Sequence, residues 1–420
     1  MIAQLPISEI QHYERRPVTE IRKNNIRNIL VSLRKGKTLS RQELCEKCEL
    51  TGAGLSRNIH KLINAGLLIE EPGSIILGRL GRRRSCLSIN PNGAYVFGIT
   101  IAHNRKSVAL VNAIGTVIVE HELTELDLTK PLVALATIIQ SIEDILTEKK
   151  LNINRILGAS VMLGISDGSV VISANKVTST LLEWADVPVV DLIQSRVKIP
   201  VCTVSRAGAL IQVEIEKLAR PAFGQKKYLL INCGLGLGTA FQIIGGASRD
   251  DISPQVQISH VLIEGNNAIC DCGKRGCLEQ TGAGAGVVRC LERIDQNKRL
   301  NFHSANVSLE KALAAANAGD LEVSNIFYDV GKRFAVGIDT ACSVLLPDHI
   351  FIAGEVGRQK DYVKGIFAGL KEINSALTNE EISICDTRSS QASGVFALNE
   401  FLFSDDLNLY DREILDKRAS

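Results

Sequence analysis

A chain of 420 residues is too long for one ordinary hydrophobic core, so its length predicts two or three domains. Hydrophobic residues make up 45% of it, but no apolar run approaches the roughly 20 residues of a transmembrane helix, which argues against a membrane-spanning protein. The formal net charge of +2 hides an asymmetry, because residues 1–90 contain 16 Lys and Arg against 8 Asp and Glu, whereas the remainder contains 32 against 38. This distribution is typical of a nucleic-acid-binding head joined to a body that does not bind nucleic acid.

The beginning of the chain and its cysteines indicate the compartment. The first 20 residues contain no basic segment followed by a continuous apolar stretch, so we expect neither a signal peptide nor a membrane anchor. The 11 cysteines form no repeating framework and are odd in number, as in proteins of a reducing compartment. These features predict a cytoplasmic protein.

The basic head contains three successive segments with helical apolar spacing between residues 20 and 66. The first ends before Gly36, the second opens with Ser40 and Glu43 at the spacing of a capping box, and the third ends at Gly66. Such helices, with a tight turn before the third, are typical of a helix-turn-helix. The alternation of "LLIEEPGSIILGRL" around its Pro-Gly pair adds a hairpin, so the pattern predicts a winged helix-turn-helix.

The third helix and the segment after the hairpin provide the candidate DNA contacts. Hydroxyl, amide and guanidinium side chains contact phosphates and base edges, and the start of a helix can approach a phosphate. The "GRRRS" segment could follow phosphates or enter a narrow minor groove, although it could also be a solvated basic linker. The predicted DNA-binding residues are Thr51, Gly52, Ser56, Arg57, Asn58, Lys61, Arg82, Arg83 and Arg84.

After residue 90, apolar strands alternate with helices, which predicts an α/β body. A strand followed by a turn and a second strand begins near residue 95 and again near residue 228, as expected for two related lobes. The glycine-rich "CGLGLGT" at residues 233–239 could bring backbone amides close to a phosphate. A plain turn between two strands is the favoured explanation.

The stretch "ICDCGKRGCLEQTG", residues 269–282, clusters three cysteines around glycines. A structural zinc site needs four ligands from Cys and His, and a histidine stands ten residues upstream of the first cysteine. A redox-active thiol pair is the main alternative, and a disulfide is disfavoured by the predicted compartment. The predicted ligands of a structural Zn²⁺ are His260, Cys270, Cys272 and Cys277.

Together these segments resemble the ROK family of repressors, open reading frames and kinases, and in particular its bacterial repressors that respond to xylose, glucose or N-acetylglucosamine. The head "LSRQELCEKCELTGAGLSRNIHKLINAGLL" is similar to the family's winged helix-turn-helix. The segment "ISHVLIEGNNAICDCGKRGCLE" resembles its E-x-G-H and C-x-C-G-x-x-G-C-x-E motifs, in which the histidine and three cysteines bind zinc. The resemblance implies a two-lobed body of the sugar-kinase and actin type.

The departures from the family's kinase motifs indicate that catalysis is lost. The D-x-G-G-T phosphate loop of the kinases corresponds to a segment with Thr100, Ala102 and His103, and the catalytic Asp corresponds to Arg206. A guanidinium cannot take a proton from a sugar hydroxyl, because it stays protonated at any relevant pH. An active sugar kinase is therefore the less favoured alternative, and we expect no enzymatic activity.

The resemblance also implies a ligand pocket, in which the motif's glutamate is replaced by glutamine. The predicted ligand-binding residues are Arg206, Gln257, His260 and Glu279. Two hypotheses remain open: Arg206 could select an anionic ligand such as a sugar acid or sugar phosphate, or the pocket could have decayed with Arg206 bonded internally to Glu279 or to backbone.

The chain is thus predicted to be a cytoplasmic DNA-binding regulator, most simply a repressor, of carbohydrate-metabolism genes. The partners expected are a double-stranded DNA operator, a sugar, sugar acid or sugar phosphate, and further copies of the chain in a homodimer or a dimer of dimers. Control by a protein such as a sugar-transporter subunit is a further alternative. The predicted domains are the head at 1–90, a first lobe at 91–200 completed by 390–420, and a second lobe at 201–389 that carries the zinc site.

Overall fold

The structure is a computed structural model. It describes residues 18–34, 36–72, 85–164, 170–173, 176–179, 182, 184–218, 224–245, 256–378 and 380–407. The chain divides into two compact units, one formed by Met1–Gly93 with Phe401–Ser420 and the other by Ala94–Glu400.

The described part of the N-terminal unit contains three helices and three strands. The helices are α1 (Val18–Ser32), α2 (Arg41–Cys48) and α3 (Gly52–Asn64), and the strands are β1 (Leu39–Ser40), β2 (Leu68–Pro72) and β3 (Ser85–Ile89). The strands form an antiparallel sheet in the order β1-β3-β2. The helices and the sheet have the winged helix-turn-helix arrangement, but the described partner of β2 is β3 at residues 85–89, and Pro72 belongs to β2 where a turn was predicted. Residues 73–84, which include the predicted turn at Gly73 and the segment that follows it, lie outside the described residues.

The helices of this unit begin and end where the sequence predicts. Ser40 caps α2 in a complete capping box, because its hydroxyl accepts from the Glu43 N–H while the Glu43 carboxylate accepts from the Ser40 N–H at 2.7 Å. Glu49, with a left-handed φ of 53°, ends α2, and Gly66, with a φ of 69°, follows the end of α3. The predicted apolar stripes form the core, whose fully buried side chains include Ile29, Leu30, Leu33, Leu44, Ile59 and Leu62.

The first lobe of the larger unit is built on a five-stranded sheet in the order β11-β7-β4-β5-β6. Its strands are β4 (Tyr95–Ala102), β5 (Arg105–Asn112), β6 (Val117–Glu122), β7 (Ile156–Leu163) and β11 (Val201–Ser205). A small antiparallel sheet contains β8 (Val170–Ser173), β9 (Lys176–Ser179) and β10 (Trp184–Val187). The helices are α4 (Pro131–Glu148), α5 (Val189–Val197) and α6 (Arg206–Lys217).

The second lobe is built on a four-stranded sheet in the order β13-β12-β14-β15. Its strands are β12 (Lys226–Cys233), β13 (Leu237–Ile244), β14 (His349–Ala353) and β15 (Ile382–Ile384). The helices are α7 (Glu279–Gly282), α8 (Gly284–Leu291), α9 (Phe302–Asn317), α10 (Leu321–Leu345), α11 (Gly354–Gly357) and α12 (Lys360–Glu372), and the chain continues after β15 into α13 (Ser389–Phe401), which lies against the first sheet.

The two sheets repeat one topology. In each, an antiparallel hairpin, β4–β5 or β12–β13, is extended by two parallel strands, β7 and β11 or β14 and β15. Two related lobes were expected from the recurring strand-turn-strand pattern. Helix α6 contacts strands of both sheets. The cleft between the lobes lies at the N-terminal end of this helix, where Arg206 lines it.

The lobe boundaries in the structure differ from the predicted ones. Strand β11 pairs with β7, so the first sheet extends past residue 200. Helix α13 lies against this sheet, where the Ser393 hydroxyl donates to the Ile99 carbonyl at 3.2 Å and a β-carbon on Gly98 would lie 2.6 Å from the Gly394 nitrogen. Residues 401–407, however, belong to the N-terminal unit. In the described residues, α13 thus contacts the first sheet, and the completion of the first lobe by residues 390–420 stays a prediction.

The core of the second lobe depends on a close crossing of α10 and α12. A β-carbon on Gly331 would lie 2.2 Å from the Tyr362 carbonyl oxygen, and one on Gly365 would lie 2.0 Å from the Tyr328 carbonyl oxygen. The glycines therefore let the two backbones touch, which positions α10 beside α7, the helix that follows the cysteine loop at residues 269–277. Among the described residues, no helix combines the length and the apolar character needed to cross a membrane.

Candidate DNA-binding surface, metal cluster and ligand cleft

Helix α3 turns one polar face outward. Ser56 and Arg57 are exposed and Asn58 and Lys61 are half-buried, while the apolar stripe on the opposite face is buried. In the described part of the chain Arg57 forms no ion pair, so its guanidinium is available to a partner. The sequence predicted this face from the spacing of apolar residues within the helix, and the burial of the side chains in the structure follows that spacing.

The start of α3 has the geometry expected of a site near a phosphate. Thr51 and Gly52 are both exposed, and the Thr51 hydroxyl accepts from the Gly54 N–H at 3.2 Å. The first-turn amides of a helix have no acceptor within the helix, and the positive end of its dipole lies there. The other predicted contacts, Arg82, Arg83 and Arg84, lie outside the described residues.

A clamp at the base of the wing was not predicted. The Arg41 guanidinium, at the start of α2, donates two hydrogen bonds to Glu70 of β2 at 3.1 and 3.0 Å, and the Ser85 hydroxyl of β3 donates to the same carboxylate at 2.5 Å. The hydrogen bond from Arg41 lowers the pKa of Glu70. The clamp connects α2 to strands β2 and β3. The sequence did not indicate it, because the contact depends on the pairing register of β2 with β3.

The cysteine stretch folds into a four-residue cluster that fits a metal ion. One ligand atom each from His260, Cys270, Cys272 and Cys277 lies within 4.8 Å of every other. The Cys272 and Cys277 sulfurs are 3.6 Å apart, and the Cys270 sulfur is 3.8 Å from His260 Nδ1. Tetrahedral zinc with Zn–S bonds of about 2.3 Å places its sulfur ligands about 3.8 Å apart, so the donor set and its spacing suit Zn²⁺.

The cysteine loop is held by backbone hydrogen bonds. The Cys270 N–H donates to the Lys274 carbonyl at 2.9 Å, and the Ile263 N–H donates to the Gly276 carbonyl at 2.8 Å. Gly276 has a φ of 81°, and a β-carbon there would lie 2.6 Å from the Asn266 carbonyl oxygen. This glycine is therefore required for the fold of the loop, as its place between the cysteines suggested.

Burial and charge around the cluster favour a bound cation. Cys270 and Cys277 are fully buried, whereas Cys272 is exposed. Burial and the neighbouring Cys272 and Cys270 thiols raise the pKa of Cys277 above its ordinary range. Three adjacent thiolates would repel one another without a metal, and a metal ion removes this cost because it binds the deprotonated sulfurs.

Side chains outside the motif support the cluster. Buried Arg289 donates to the Gln280 side chain at 2.9 Å and to the Ile269 and Lys298 carbonyls, each at 3.1 Å. Gln280 Nε2 lies 3.9 Å from the Cys270 sulfur. These residues orient the loop, and no sequence pattern indicates them because they bond backbone atoms that only the folded chain brings together.

A cleft with a cavity volume of about 60 Å³ opens between the two lobes. The β4–β5 turn, the start of α6, the glycine-rich turn after β12 and α11 line it, and its volume is below the usual range of ligand sites, which begins at about 300 Å³. At its mouth, the His103 ring packs edge-on against Phe302 and its Nε2 lies 3.1 Å from His303 Nδ1. Burial and the neighbouring His303 lower the pKa of His103. His103 therefore fills part of the space beside the turn, as its bulk suggested.

A family model described as "ROK family" matches residues 96–398, which is nearly three-quarters of the chain. The protein belongs to the ROK family. This assignment agrees with the two lobes of the larger unit and with its Cys/His cluster.

The similar ROK proteins include named repressors. The xylose repressor of Bacillus subtilis (strain 168) is 20% identical over 341 residues, which are 80% of this chain and 84% of the relative. The DNA-binding transcriptional repressor Mlc of Escherichia coli (strain K12) is 22% identical over 332 residues, which are 77% of this chain and 79% of Mlc. A crystal structure of a ROK family transcriptional regulator, a homologue of Mlc, matches with a TM-score of 0.68 at 18% identity, covering 95% of this chain and 99% of that one. The similarity to this crystal structure supports the fold described above.

In this ROK protein the four predicted ligand-binding residues do not converge on the cleft. Arg206 lines it, but Gln257 is exposed on the segment after β13, and His260 belongs to the metal cluster. Glu279 is buried and accepts from the Leu237 N–H at 3.1 Å, which links the cysteine loop to the glycine-rich turn.

The internal partner of Arg206 differs from those considered in the hypothesis of a decayed pocket. Arg206 Nη2 lies 3.9 Å from the carboxylate of Glu355, not beside Glu279. Glu279 is unavailable because its carboxylate faces the Leu237 amide and the Cys270 thiol. Glu355 and Asn104, which donates to it, are cleft residues that the sequence did not indicate.

Proposed function

We propose that this protein is a cytoplasmic transcriptional repressor of carbohydrate-metabolism genes, which binds an operator through residues 40–85 and a sugar or sugar derivative through its larger unit. The observation that carries the proposal is the exposed polar face of α3, with Ser56 and Arg57 outward, in a winged helix-turn-helix attached to a ROK body. Relatives named as repressors, which match about four-fifths of this chain, support it.

The cleft argues against a phosphotransferase. Arg206 stands at the start of α6, where the kinase motif has its catalytic aspartate, and a guanidinium cannot serve as a general base. A coupled assay with ATP and a panel of sugars should therefore detect no sugar-dependent turnover. Turnover that persists through purification and follows the protein concentration would reject this part of the proposal.

We propose that the metal of the cluster is a structural Zn²⁺ held by His260 and the three cysteines. When bound, zinc would neutralise the thiolates and fix the loop. Glu279 follows that loop and accepts from Leu237, so the metal site and the glycine-rich turn of the cleft share a hydrogen bond. Ligand binding would act on DNA binding by shifting the population of conformations.

We further propose that the protein acts as a homodimer or a dimer of dimers. A single helix-turn-helix contacts one half-site, and two-fold dimers match the two halves of a palindromic operator. Sedimentation of the free protein and of its operator complex would measure the number of copies.

Replacing Arg57 by alanine should weaken operator binding by about 1–3 kcal/mol, or roughly 5- to 150-fold, because an exposed arginine on a recognition helix contacts a base edge or a phosphate. The operator is first isolated by selecting genomic fragments on the wild-type protein. Affinities are then measured by fluorescence anisotropy at one fixed salt concentration, since protein–DNA affinities depend on salt.

Arg299→Ala is the matched control, because it removes the same charge from an exposed site on the larger unit. It should leave the operator affinity within twofold of wild type, a margin of about 0.4 kcal/mol. Equal affinities of Arg57→Ala and wild type would place the DNA contact elsewhere.

A further inference from the structure

Glu355 places a carboxylate directly over the glycine-rich turn that follows β12. The chain reaches it through Gly354, which has a φ of +91° and lies so close to this turn that a β-carbon would be 2.1 Å from the Cys233 carbonyl oxygen. Glu355 Oε1 lies 3.0 Å from the position that a β-carbon on Gly234 would take. The carboxylate thus occupies the space left by the absent side chain at position 234.

Two side chains from the first lobe hold this carboxylate. Asn104 Nδ2, in the turn between β4 and β5, donates to Glu355 Oε1 at 3.0 Å. Arg206 Nη2, at the start of α6, lies 3.9 Å from Glu355 Oε2. The side chains of Arg206 and Glu355 are only 16% and 23% exposed, so their interaction is poorly screened by solvent.

Arg206 is a buried cation with charged neighbours. Burial lowers the pKa of its guanidinium, the Glu355 charge opposes this shift, and Arg358 and Arg105 add to it. Arg105 is balanced by two glutamates of β6, at 3.2 Å from each. Within the described chain, Glu355 is the acidic residue at ion-pair distance from Arg206. The protein therefore supplies its own anion at this point of the cleft.

The rest of the cleft is nearly free of charge. Its lining includes the amides Asn232 and Asn306, the ring of Phe302 and the backbone of the glycine-rich turn. Asn232 Oδ1 is buried and has no hydrogen-bond partner among the described residues, so it can accept from a ligand hydroxyl. These groups suit a polar ligand without a formal charge.

We propose that Glu355 is a specificity-determining residue, which fills the anion position of the cleft with the chain's own carboxylate and so excludes phosphate- and carboxylate-bearing ligands. The inference rests on the proposed function in taking the cleft as the effector site, and it does not depend on DNA binding. A ligand anion at the glycine-rich turn would face the Glu355 carboxylate at contact distance, and this repulsion would offset its attraction to Arg206, whose Nε is buried and has no hydrogen-bond partner among the described residues. An uncharged polyhydroxy ligand meets no such repulsion.

The test measures binding of pyrophosphate to the full-length, zinc-loaded protein by isothermal titration calorimetry, in the absence of DNA. Wild type should show no saturable binding at millimolar pyrophosphate. Glu355→Gln keeps the shape of the side chain and removes its charge, so Arg206 becomes free to pair with the probe. The affinity of this variant for pyrophosphate should rise at least about tenfold, the usual effect of one charge-assisted hydrogen bond.

Two further variants assign the effect. The double variant Glu355→Gln, Arg206→Gln should lose the gain, and Glu372→Gln, which removes a surface carboxylate paired with Lys332, should behave as wild type. A folded Glu355→Gln protein without the gain, or with a gain that survives loss of Arg206, overturns the proposal. Saturable binding of pyrophosphate to wild type also overturns the proposal if Arg206→Gln abolishes that binding. This result needs no Glu355 variant. Loss of operator binding would reject the repressor function and leave these results unaffected.

Discussion

Replacing Cys272 by alanine is expected to release the bound zinc and to lower the free energy of unfolding of the larger unit by about 3–5 kcal/mol, because loss of a metal is among the mechanisms with the largest effects of single substitutions. Cys272 is the best position for this test because its side chain is exposed, so the substitution leaves no cavity. Cys270 and Cys277 are fully buried, and their replacement would combine loss of the metal with loss of packing. For a unit of this size, the change corresponds to a melting temperature lower by roughly 5–8 °C.

Zinc per chain is measured by mass spectrometry of metals, and the melting temperature by calorimetry. Wild type should hold one zinc per chain, as one four-ligand cluster allows. Cys290→Ala is the matched control, because Cys290 is also exposed and lies outside the cluster. It should retain both the metal and the melting temperature. Full zinc content in Cys272→Ala would reject the assignment of this cluster, and a metal-free wild type with a reversible bond between Cys272 and Cys277 would favour the redox alternative.

The sequence predicted features whose determinants lie close together in the chain. The capping box of Ser40 and Glu43 spans one helical turn, and the apolar stripe of α3 repeats within a single helix. The metal cluster could be predicted for the same reason, since its three cysteines and their glycines lie within eight residues. Only His260 joins from outside, and it stands within reach of the same loop.

Contacts between distant segments could not be predicted in this way. One of two open hypotheses paired Arg206 internally with Glu279 or with backbone, but its partner Glu355 follows a strand of the other lobe. That pairing depends on how far Gly354 lets β14 approach Cys233, which is a property of the folded sheet. The sequence marks Gly354 as a turn residue but does not tell which side chain it directs into the cleft.

The replacement of Arg82, Arg83 and Arg84 by alanine is expected to weaken operator binding by about 100-fold at physiological salt, if each arginine neutralises one phosphate. The three residues lie outside the described part of the chain, directly before β3. Strand β3 pairs with β2, and Ser85 at its start donates to Glu70 of the clamp, so the end of the arginine segment is fixed. Each phosphate contact releases condensed counterions, so the slope of log affinity against log salt should become shallower by about 0.9 for each arginine replaced, or about 2.7 in all.

The salt slope separates this segment from α3. If Arg57 contacts a base, Arg57→Ala should weaken operator binding with only a small change in the slope of log affinity against log salt. The triple variant should instead weaken binding to the operator and to unrelated DNA alike. The matched control is the replacement of Lys298, Arg299 and Lys311 by alanine, which removes three exposed charges from the larger unit. If the control and the triple variant change the slope equally, the effect comes from net charge. If neither changes it, the basic segment is a linker and the DNA surface is confined to α2, α3 and the hairpin.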